Sequence, residues 1–105
     1  MIAAERRRWV RHAFFAPAEI TEPETRYFAR ARTSDLSRGG CYIDMMSPLF
    51  RESALEVRIT HGGEAMDLPA RVVHSERYIG MGLRFDSADS SQKGVIDRWL
   101  AGVDA

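Results

Sequence analysis

The chain has 105 residues, of which 45% are hydrophobic and 29% charged, and this composition is typical of one small globular domain. Fifteen Lys and Arg balance fifteen Asp and Glu, so the chain as a whole lacks the basic excess of most nucleic-acid-binding proteins. The one cysteine, Cys41, excludes a disulfide framework, and no apolar run approaches the roughly 18 residues of a membrane span, so we expect a cytoplasmic protein without membrane insertion.

Positive charge is concentrated at the N-terminus. The stretch ERRRWVR, residues 5–11, holds four arginines in seven residues. Residues 1–38 contain eight Arg and five acidic residues, a net charge of +3, and the remainder carries −3. Within this stretch Arg7 and Arg11 form an RxxxR pattern, which taken alone is also typical of a basic arm that is disordered in water.

Five or six short strands are predicted after this arm. The two prolines of FFAPAEITEPET, residues 14–25, favour an extended edge or a loop. Strand patterns follow in RYFARARTSDL, CYIDMM, LEVRIT, AMDLPARVVHSER and YIGMGLRF, with HGGE as a hairpin turn. Gly80 and Gly82 in the last of these segments indicate a bulge or a close backbone approach. Short strands at this spacing favour a small antiparallel barrel or a sandwich.

The period changes near the C-terminus. Val95, Ile96, Trp99 and Leu100 fall on one stripe of a helix, which Asp89 or Ser90 can cap. We expect the Trp99 face of this helix to cover one open end of the barrel.

No enzyme pattern is present in the sequence. The three histidines, His12, His61 and His74, lack the spacing of a helical metal site, and GxSxG, HExxH and P-loop motifs are missing. We therefore predict neither a catalytic residue nor a bound metal.

A second short motif follows the arm. DLSRGG, residues 35–40, reads DxSxxG with Asp35, Ser37 and Gly40, and by itself it also describes an ordinary loop whose Asp and Ser bond to nearby backbone. The combination of RxxxR and DxSxxG in this order is more informative than either motif alone.

From Glu5 to about Leu100 the chain resembles PilZ domains, which are bacterial receptors for cyclic di-GMP. RxxxR, DxSxxG, the strand GMGLRF and the terminal helix carry this resemblance. It implies a mostly β fold, a six-stranded antiparallel PilZ-type β-barrel with a C-terminal α-helix. Residues 1–12 would then be a flexible arm that closes over the ligand, and residues 13–105 the barrel and helix of a single domain.

The resemblance also implies which residues contact cyclic di-GMP. They are the signature positions and two neighbouring arginines, namely Arg7, Arg8, Arg11, Asp35, Ser37, Arg38 and Gly40. Such domains can bind the ligand as an intercalated dimer. Trp9 can either stack on the ligand or anchor the arm on the barrel, and the sequence leaves both roles open.

Three functions remain in view. The first is a non-catalytic cyclic di-GMP receptor that needs no cofactor and signals to a downstream effector protein in motility, exopolysaccharide (biofilm) or virulence control. The second is a basic-armed β-barrel that binds nucleic acid, which the neutral charge and the lack of paired exposed aromatics on a strand disfavour. The third is an adaptor of the same fold that binds a protein partner and no nucleotide.

Overall fold

Six strands and one helix are found in the part of the chain that the computed structural model describes, residues 10–104. In chain order they are β1 (His12–Glu22), β2 (Tyr27–Leu36), β3 (Gly40–Asp44), β4 (Ala54–His61), β5 (Glu64–Glu76), β6 (Gly80–Phe85) and α1 (Ser90–Asp104). The strands pair antiparallel in the closed order β1-β2-β3-β6-β5-β4. The expected antiparallel barrel with a terminal helix is therefore confirmed.

Alternate strand residues fill the barrel interior, because successive side chains of a strand point to opposite faces. The fully buried side chains include Ile20, Leu36, Ile43, Val57, Leu68 and Leu83. Helix α1 adds Ile96 and Trp99 to this core, and the ring of Trp99 stacks on Phe14 of β1 with the ring centroids 5.7 Å apart. Within residues 10–104 no helix has the length and apolarity that a membrane span requires.

The start of α1 is closed by a reciprocal pair of hydrogen bonds. Gln92 N donates to Asp89 Oδ1 and Asp89 N donates to Gln92 Oε1, each at 2.8 Å. This capping box satisfies two backbone donors that the first turn of a helix leaves without partners. Of the two capping residues that the sequence suggested, Asp89 is the one that caps.

Strand β1 differs from the expected edge or loop. It pairs with β2 along its length and with β4 from Ala18 onward. Pro17 lies just before Ala18, where pairing with β4 begins, so on that side β1 is unpaired at the proline. A strand that looked like an edge is thereby accommodated inside a closed sheet.

A β-bulge in β2 sets the direction of Asp35. Thr33 pairs with Ile43 of β3, but Asp35 pairs with the very next residue, Tyr42, so β2 carries one extra residue. Thr33 is buried, and strict alternation would send Asp35 to the same inner face. The extra residue reverses the alternation, so that Leu36 is buried and Asp35 faces outward.

A second bulge lies beside the first. Strand β1 has one extra residue between Ala13 and Ala16, opposite β2. Thr33 holds this bulge closed from inside the barrel, since its hydroxyl accepts from Ala16 N at 3.1 Å and donates to Phe14 O. The bulges therefore shape the region where the start of β1 meets the end of β2.

Candidate functional site

Arg11 and Asp35 meet on the outer surface of the barrel. Arg11 Nη1 lies 2.9 Å from Asp35 Oδ1, and the two residues are 24 positions apart in the chain. Their side chains are 25% and 27% exposed, so the pair is sheltered but open to a ligand. Arg11 comes directly before β1, and the pairing of His12 with Leu36 brings it beside the end of β2. One residue from each sequence motif is thereby brought into direct contact.

The chemistry of this pair is that of adjacent donors and acceptors. The guanidinium group has five N–H donors in a planar fork, of which the contact with Asp35 uses one. Within residues 10–104 the second oxygen of this carboxylate has no hydrogen-bond partner and can accept one. A planar molecule with both acceptor and donor edges is the natural complement of such a surface.

Ser37 is buried and serves the loop between β2 and β3. It is 3% exposed. Its hydroxyl accepts from Gly39 N and Gly40 N at 3.2 Å each and donates to Gly40 O at 3.3 Å. A serine hydroxyl has one donor and two acceptor positions, so all of them are used inside the loop. Direct contact of this hydroxyl with a ligand stays a prediction, and its observed partners fix the loop conformation.

Gly40 is packed against the neighbouring strand. A Cβ atom placed on it would lie 2.0 Å from the carbonyl oxygen of Leu83 in β6, a distance that no side chain can adopt. The close backbone approach observed at Gly40 is thus to β6. An equally close approach of Gly40 to a ligand stays a prediction.

Arg38 is directed towards the C-terminal helix. Its Nε lies 3.1 Å from Asp97 Oδ1 of α1, and both side chains are about half exposed. It therefore lies outside the Arg11–Asp35 pair, although it belongs to the same loop as Ser37. The remaining predicted contacts, Arg7 and Arg8, lie outside the described residues, as does Trp9.

Tyr42 is a neighbour of the site that the sequence did not identify. It pairs with Asp35 across β2 and β3, and its hydroxyl donates to Glu76 Oε1 at 2.8 Å. Burial and then the hydrogen bond to Glu76 raise the pKa of Tyr42 to about 12, and hydrogen bonds from Tyr42 and then His74 lower the pKa of Glu76. No local signal could have found Tyr42, because its position depends on the bulged register of β2.

Gly80 of β6 makes room for this tyrosine. A Cβ on Gly80 would lie 2.8 Å from Tyr42 Cε2 and 2.1 Å from the carbonyl oxygen of Ile43, whereas a Cβ on Gly82 would make ordinary contacts, the nearest at 3.4 Å. Of the two explanations that the sequence offered, the close approach therefore holds for Gly80, and the bulge between β5 and β6 lies in β5. Among residues 10–104 no group of three His, Cys, Asp or Glu side chains could hold a metal ion.

Comparison with known proteins places this barrel among those of one family. The family model described as "PilZ domain" matches residues 5–102. A search of curated proteins found no match.

Solved structures share the fold at low identity. The PilZ domain of CeSA from a cellulose-synthesizing bacterium is 22% identical, with a TM-score of 0.73 over 91% of this chain and 99% of that one. The PilZ domain of YcgR from Escherichia coli, solved with c-di-GMP, is 17% identical, with a TM-score of 0.78 over 94% of this chain and 92% of that one. A longer Escherichia coli YcgR structure, also with c-di-GMP, is 20% identical with the same TM-score, and the match covers 94% of this chain and 46% of that one.

Proposed function

Because the chain belongs to the PilZ domain family, we propose that it is a non-catalytic receptor that binds cyclic di-GMP at the Arg11–Asp35 pair. The observation that carries this proposal is the 2.9 Å contact between the two motifs, since it joins a guanidinium and a carboxylate on an accessible face of the barrel. The two YcgR structures with c-di-GMP support it, since they share the fold of this chain.

The ligand and this pair have complementary chemistry. Cyclic di-GMP carries two phosphates and two guanines. The Hoogsteen edge of guanine offers O6 and N7, a standard target of the arginine fork, and its other edge offers N1–H and N2–H to a carboxylate. Phosphate oxygens are equally good partners for a guanidinium. Arg11 would then hold guanine or phosphate, and Asp35 the donor edge of guanine.

The other proposed contacts complete this site around the pair. Arg7 would hold the remaining guanine or phosphate together with Arg11, as the arm that precedes β1 closes over the ligand. Arg8 and Arg38 are the proposed contacts to a second ligand molecule in an intercalated dimer, and recruiting Arg38 would require the ligand to replace Asp97. Ser37 and Gly40 would shape the loop that lines the barrel side.

The receptor would act by binding and not by chemistry. Cys41, the one cysteine of the chain, is fully buried, and burial and then the charge of Asp35 raise the pKa of its thiol well above its usual range. It is therefore not a ready nucleophile. We propose that ordering of the arm creates a surface for a downstream effector protein in motility, exopolysaccharide, biofilm or virulence control.

Calorimetric titration with cyclic di-GMP tests the proposal. Charge-assisted hydrogen bonds are worth about 1.5–3 kcal/mol each, so Arg11→Ala and Asp35→Ala should each weaken binding roughly tenfold to a hundredfold. A matched control is Arg58→Ala, because Arg58 forms a comparable ion pair with Asp67, at 2.8 Å, between β4 and β5. The control should bind like the unaltered chain.

Two results would overturn the proposal. One is no heat of binding with ligand at about 100 μM, where a micromolar site would be nearly saturated. The other is equal weakening by the Arg58 control, which would indicate non-specific charge attraction. If single-stranded RNA is bound at physiological salt instead, the basic-armed nucleic-acid protein is the better interpretation.

A further inference from the structure

Four large apolar side chains project from the end of the barrel where β3 leads to β4 and β5 turns into β6. They are Met46 (65% exposed), Phe50 (86%), Tyr78 (68%) and Ile79 (57%). We call this surface, together with the adjoining Arg77, the aromatic tip. Large apolar side chains that are exposed on two adjoining loops of a small domain commonly mark a binding site.

The two loops that form the tip are tied together by backbone hydrogen bonds. Tyr78 N donates to Met46 O at 2.8 Å, and Met45 N donates to Ile79 O at 3.1 Å. The longer loop is also held to β5, since Ser75 Oγ donates to Leu49 O at 2.8 Å. The apolar side chains therefore stand on a fixed backbone, and a partner that binds them has little ordering entropy to overcome.

Tyr78 occupies a backbone conformation that suits glycine. Its φ is 71°, in the left-handed region that a side chain with a Cβ adopts only at an energetic cost. Its ring is largely exposed and adds little to the core. A strained and largely exposed aromatic residue at a turn is a candidate for a binding role.

The charge of the tip is positive. The guanidinium of Arg77 lies 5.9 Å from the centroid of the Tyr78 ring, and within residues 10–104 it forms no ion pair with a carboxylate. The acid next to it, Glu76, already accepts from Tyr42 and contacts His74. An incoming carboxylate would therefore find an available cation beside an aromatic ring.

We propose that the aromatic tip docks a segment of a partner protein that presents an apolar side chain next to an aspartate or glutamate. Tyr and Arg are the residues that most often dominate the energy of protein interfaces, and the tip offers both on a fixed backbone. An anionic bilayer is a weaker fit. Arg51, Glu52 and Arg77 give the two loops about one net positive charge, and each such charge contributes only about 1 kcal/mol at a membrane surface.

The tip is connected to the Arg11–Asp35 pair through Tyr42 and Glu76. Tyr42 pairs with Asp35 in β2, and its hydroxyl donates to Glu76, which directly precedes Arg77. A ligand at the pair and a partner at the tip would thus both contact residues that neighbour Tyr42. The proposal that the tip binds the effector of a cyclic di-GMP receptor rests on the function proposed above. The proposal that the tip binds an acidic and apolar segment is independent of that function.

Selection from a phage-displayed library of random peptides on the immobilised full chain tests the docking proposal. The expected peptides carry an aromatic or large aliphatic residue beside Asp or Glu. For a synthetic peptide of the enriched sequence, Phe50→Ser and Arg77→Glu should each raise the dissociation constant at least about tenfold, as for residues at the centre of an interface. Since both side chains are exposed, the melting temperature should stay near that of the unaltered chain.

Phe28→Ser is the matched control. Phe28 is a half-exposed ring of β2, and Arg30 lies over it at 5.6 Å, so it repeats the arginine–aromatic arrangement away from the tip. The control should leave peptide affinity unchanged. Equal loss in the control, no enrichment, or enrichment without acidic residues would each overturn the proposal. So would binding to phosphatidylcholine–phosphatidylserine vesicles that Phe50→Ser abolishes, because the tip would then be a membrane surface.

The nucleotide titration separates this proposal from the proposed function. Arg11→Ala should lose cyclic di-GMP and keep the peptide, and Phe50→Ser should do the reverse. If no peptide is selected while the nucleotide binds, only the docking surface is wrong. If the peptide binds and the nucleotide does not, only the receptor function is wrong.

Discussion

Gly40 and Leu83 lie so close together that one methyl group would force β3 and β6 apart. The Cβ of an alanine at position 40 would be 2.0 Å from Leu83 O, and this neighbour is backbone that cannot rotate away. We expect Gly40→Ala to lower the free energy of unfolding by about 1–3 kcal/mol or more, the usual cost of overpacking. Urea denaturation measures it.

Gly94→Ala provides the control for Gly40. The nearest heavy atom to a Cβ on Gly94 is Arg98 Nη1 at 4.0 Å, and the residue lies inside α1. Alanine should therefore stabilise the chain by about 0.5–1 kcal/mol there. If both substitutions have the same effect, the contact between Gly40 and β6 is not what makes glycine necessary.

Tyr78 presents the opposite case. Its φ of 71° costs a non-glycine residue about 1–2 kcal/mol, whereas glycine loses about 0.5–1 kcal/mol more entropy on folding. Tyr78→Gly should thus leave the free energy of unfolding unchanged or raise it by up to about 1 kcal/mol. Tyr27→Gly, in β2 and without a positive φ, should lower it in the same urea experiment. A clear loss of stability at position 78 would show that its ring supports the fold.

At the level of single residues, the sequence predicts part of the candidate site. The spacing of RxxxR and DxSxxG identified Arg11 and Asp35, and the structure brings them into contact. It could not show that the Ser37 hydroxyl has all its partners inside the loop, nor that Arg38 contacts Asp97. Both depend on the path of the loop and the place of the helix, which residue types alone do not fix.

The bulges are the features of the strands that the sequence conceals. The alternation of Tyr27, Ala29 and Ala31 predicts a strand correctly, but it continues without a break to Asp35 and would bury that carboxylate. A bulge arises from the pairing of two strands and leaves no mark on the local pattern. Pro17 indicated an edge strand for a similar reason. The side of a strand that lacks a hydrogen-bonded neighbour is known only from the assembled sheet.

Thr33 is the side chain on which the β1 bulge depends. Thr33→Val has nearly the same shape but removes the hydroxyl, so the buried N–H of Ala16 loses its acceptor. The free energy of unfolding should fall by about 1–3 kcal/mol, as measured by urea denaturation. Thr60→Val on the exposed face of β4 should change it by less than about 0.5 kcal/mol. Equal and small effects would mean that water or another acceptor replaces the hydroxyl.

The burial of Tyr42 and its hydrogen bond to Glu76, which joins β3 to β5, give stability a dependence on alkaline pH. The pKa of Tyr42 is raised to about 12, above the value of about 10 in an unfolded chain. Its contribution to stability is thus complete below about pH 10 and is lost as the pH rises to about 12. Ultraviolet difference spectroscopy should show a phenol that ionises near pH 12 and is missing in Tyr42→Phe. Ionisation of all the tyrosines near pH 10 would contradict the hydrogen bond.

For the whole molecule, closure of the sheet determines how a ligand affects stability. The site is built from β1 and β2, which lie in one closed and cooperative barrel, so a ligand that binds only the folded state stabilises all of it. At a hundred times its dissociation constant the gain is about 2.7 kcal/mol. The melting temperature should then rise by on the order of 10 °C with cyclic di-GMP, measured by calorimetry. Arg11→Ala should remove this rise, and an equal rise in that variant would place the ligand elsewhere.

The sequence predicts the overall fold better than it predicts the order of the strands. Strand periodicity and the helical stripe of Ile96 and Trp99 predict a small barrel or sandwich with a helix, and the resemblance selects the six-stranded barrel. The order β1-β2-β3-β6-β5-β4 cannot be worked out from local patterns, since β3 and β6 are far apart in the chain. Their pairing places Tyr42 opposite Gly82, and the pairing of β2 with β3 places it next to Asp35.

The extra residue of β2 acts on this strand as an insertion acts on the reading frame of a gene. Every side chain after it changes between inside and outside, so the aspartate of DxSxxG is accessible only if the alternation breaks just before it. A relative that keeps the motif but lacks the break would direct its carboxylate into an apolar interior, where an unpaired charge is not tolerated. When chains of this fold are compared, the phase of the strand ahead of the motif should therefore be read together with the motif.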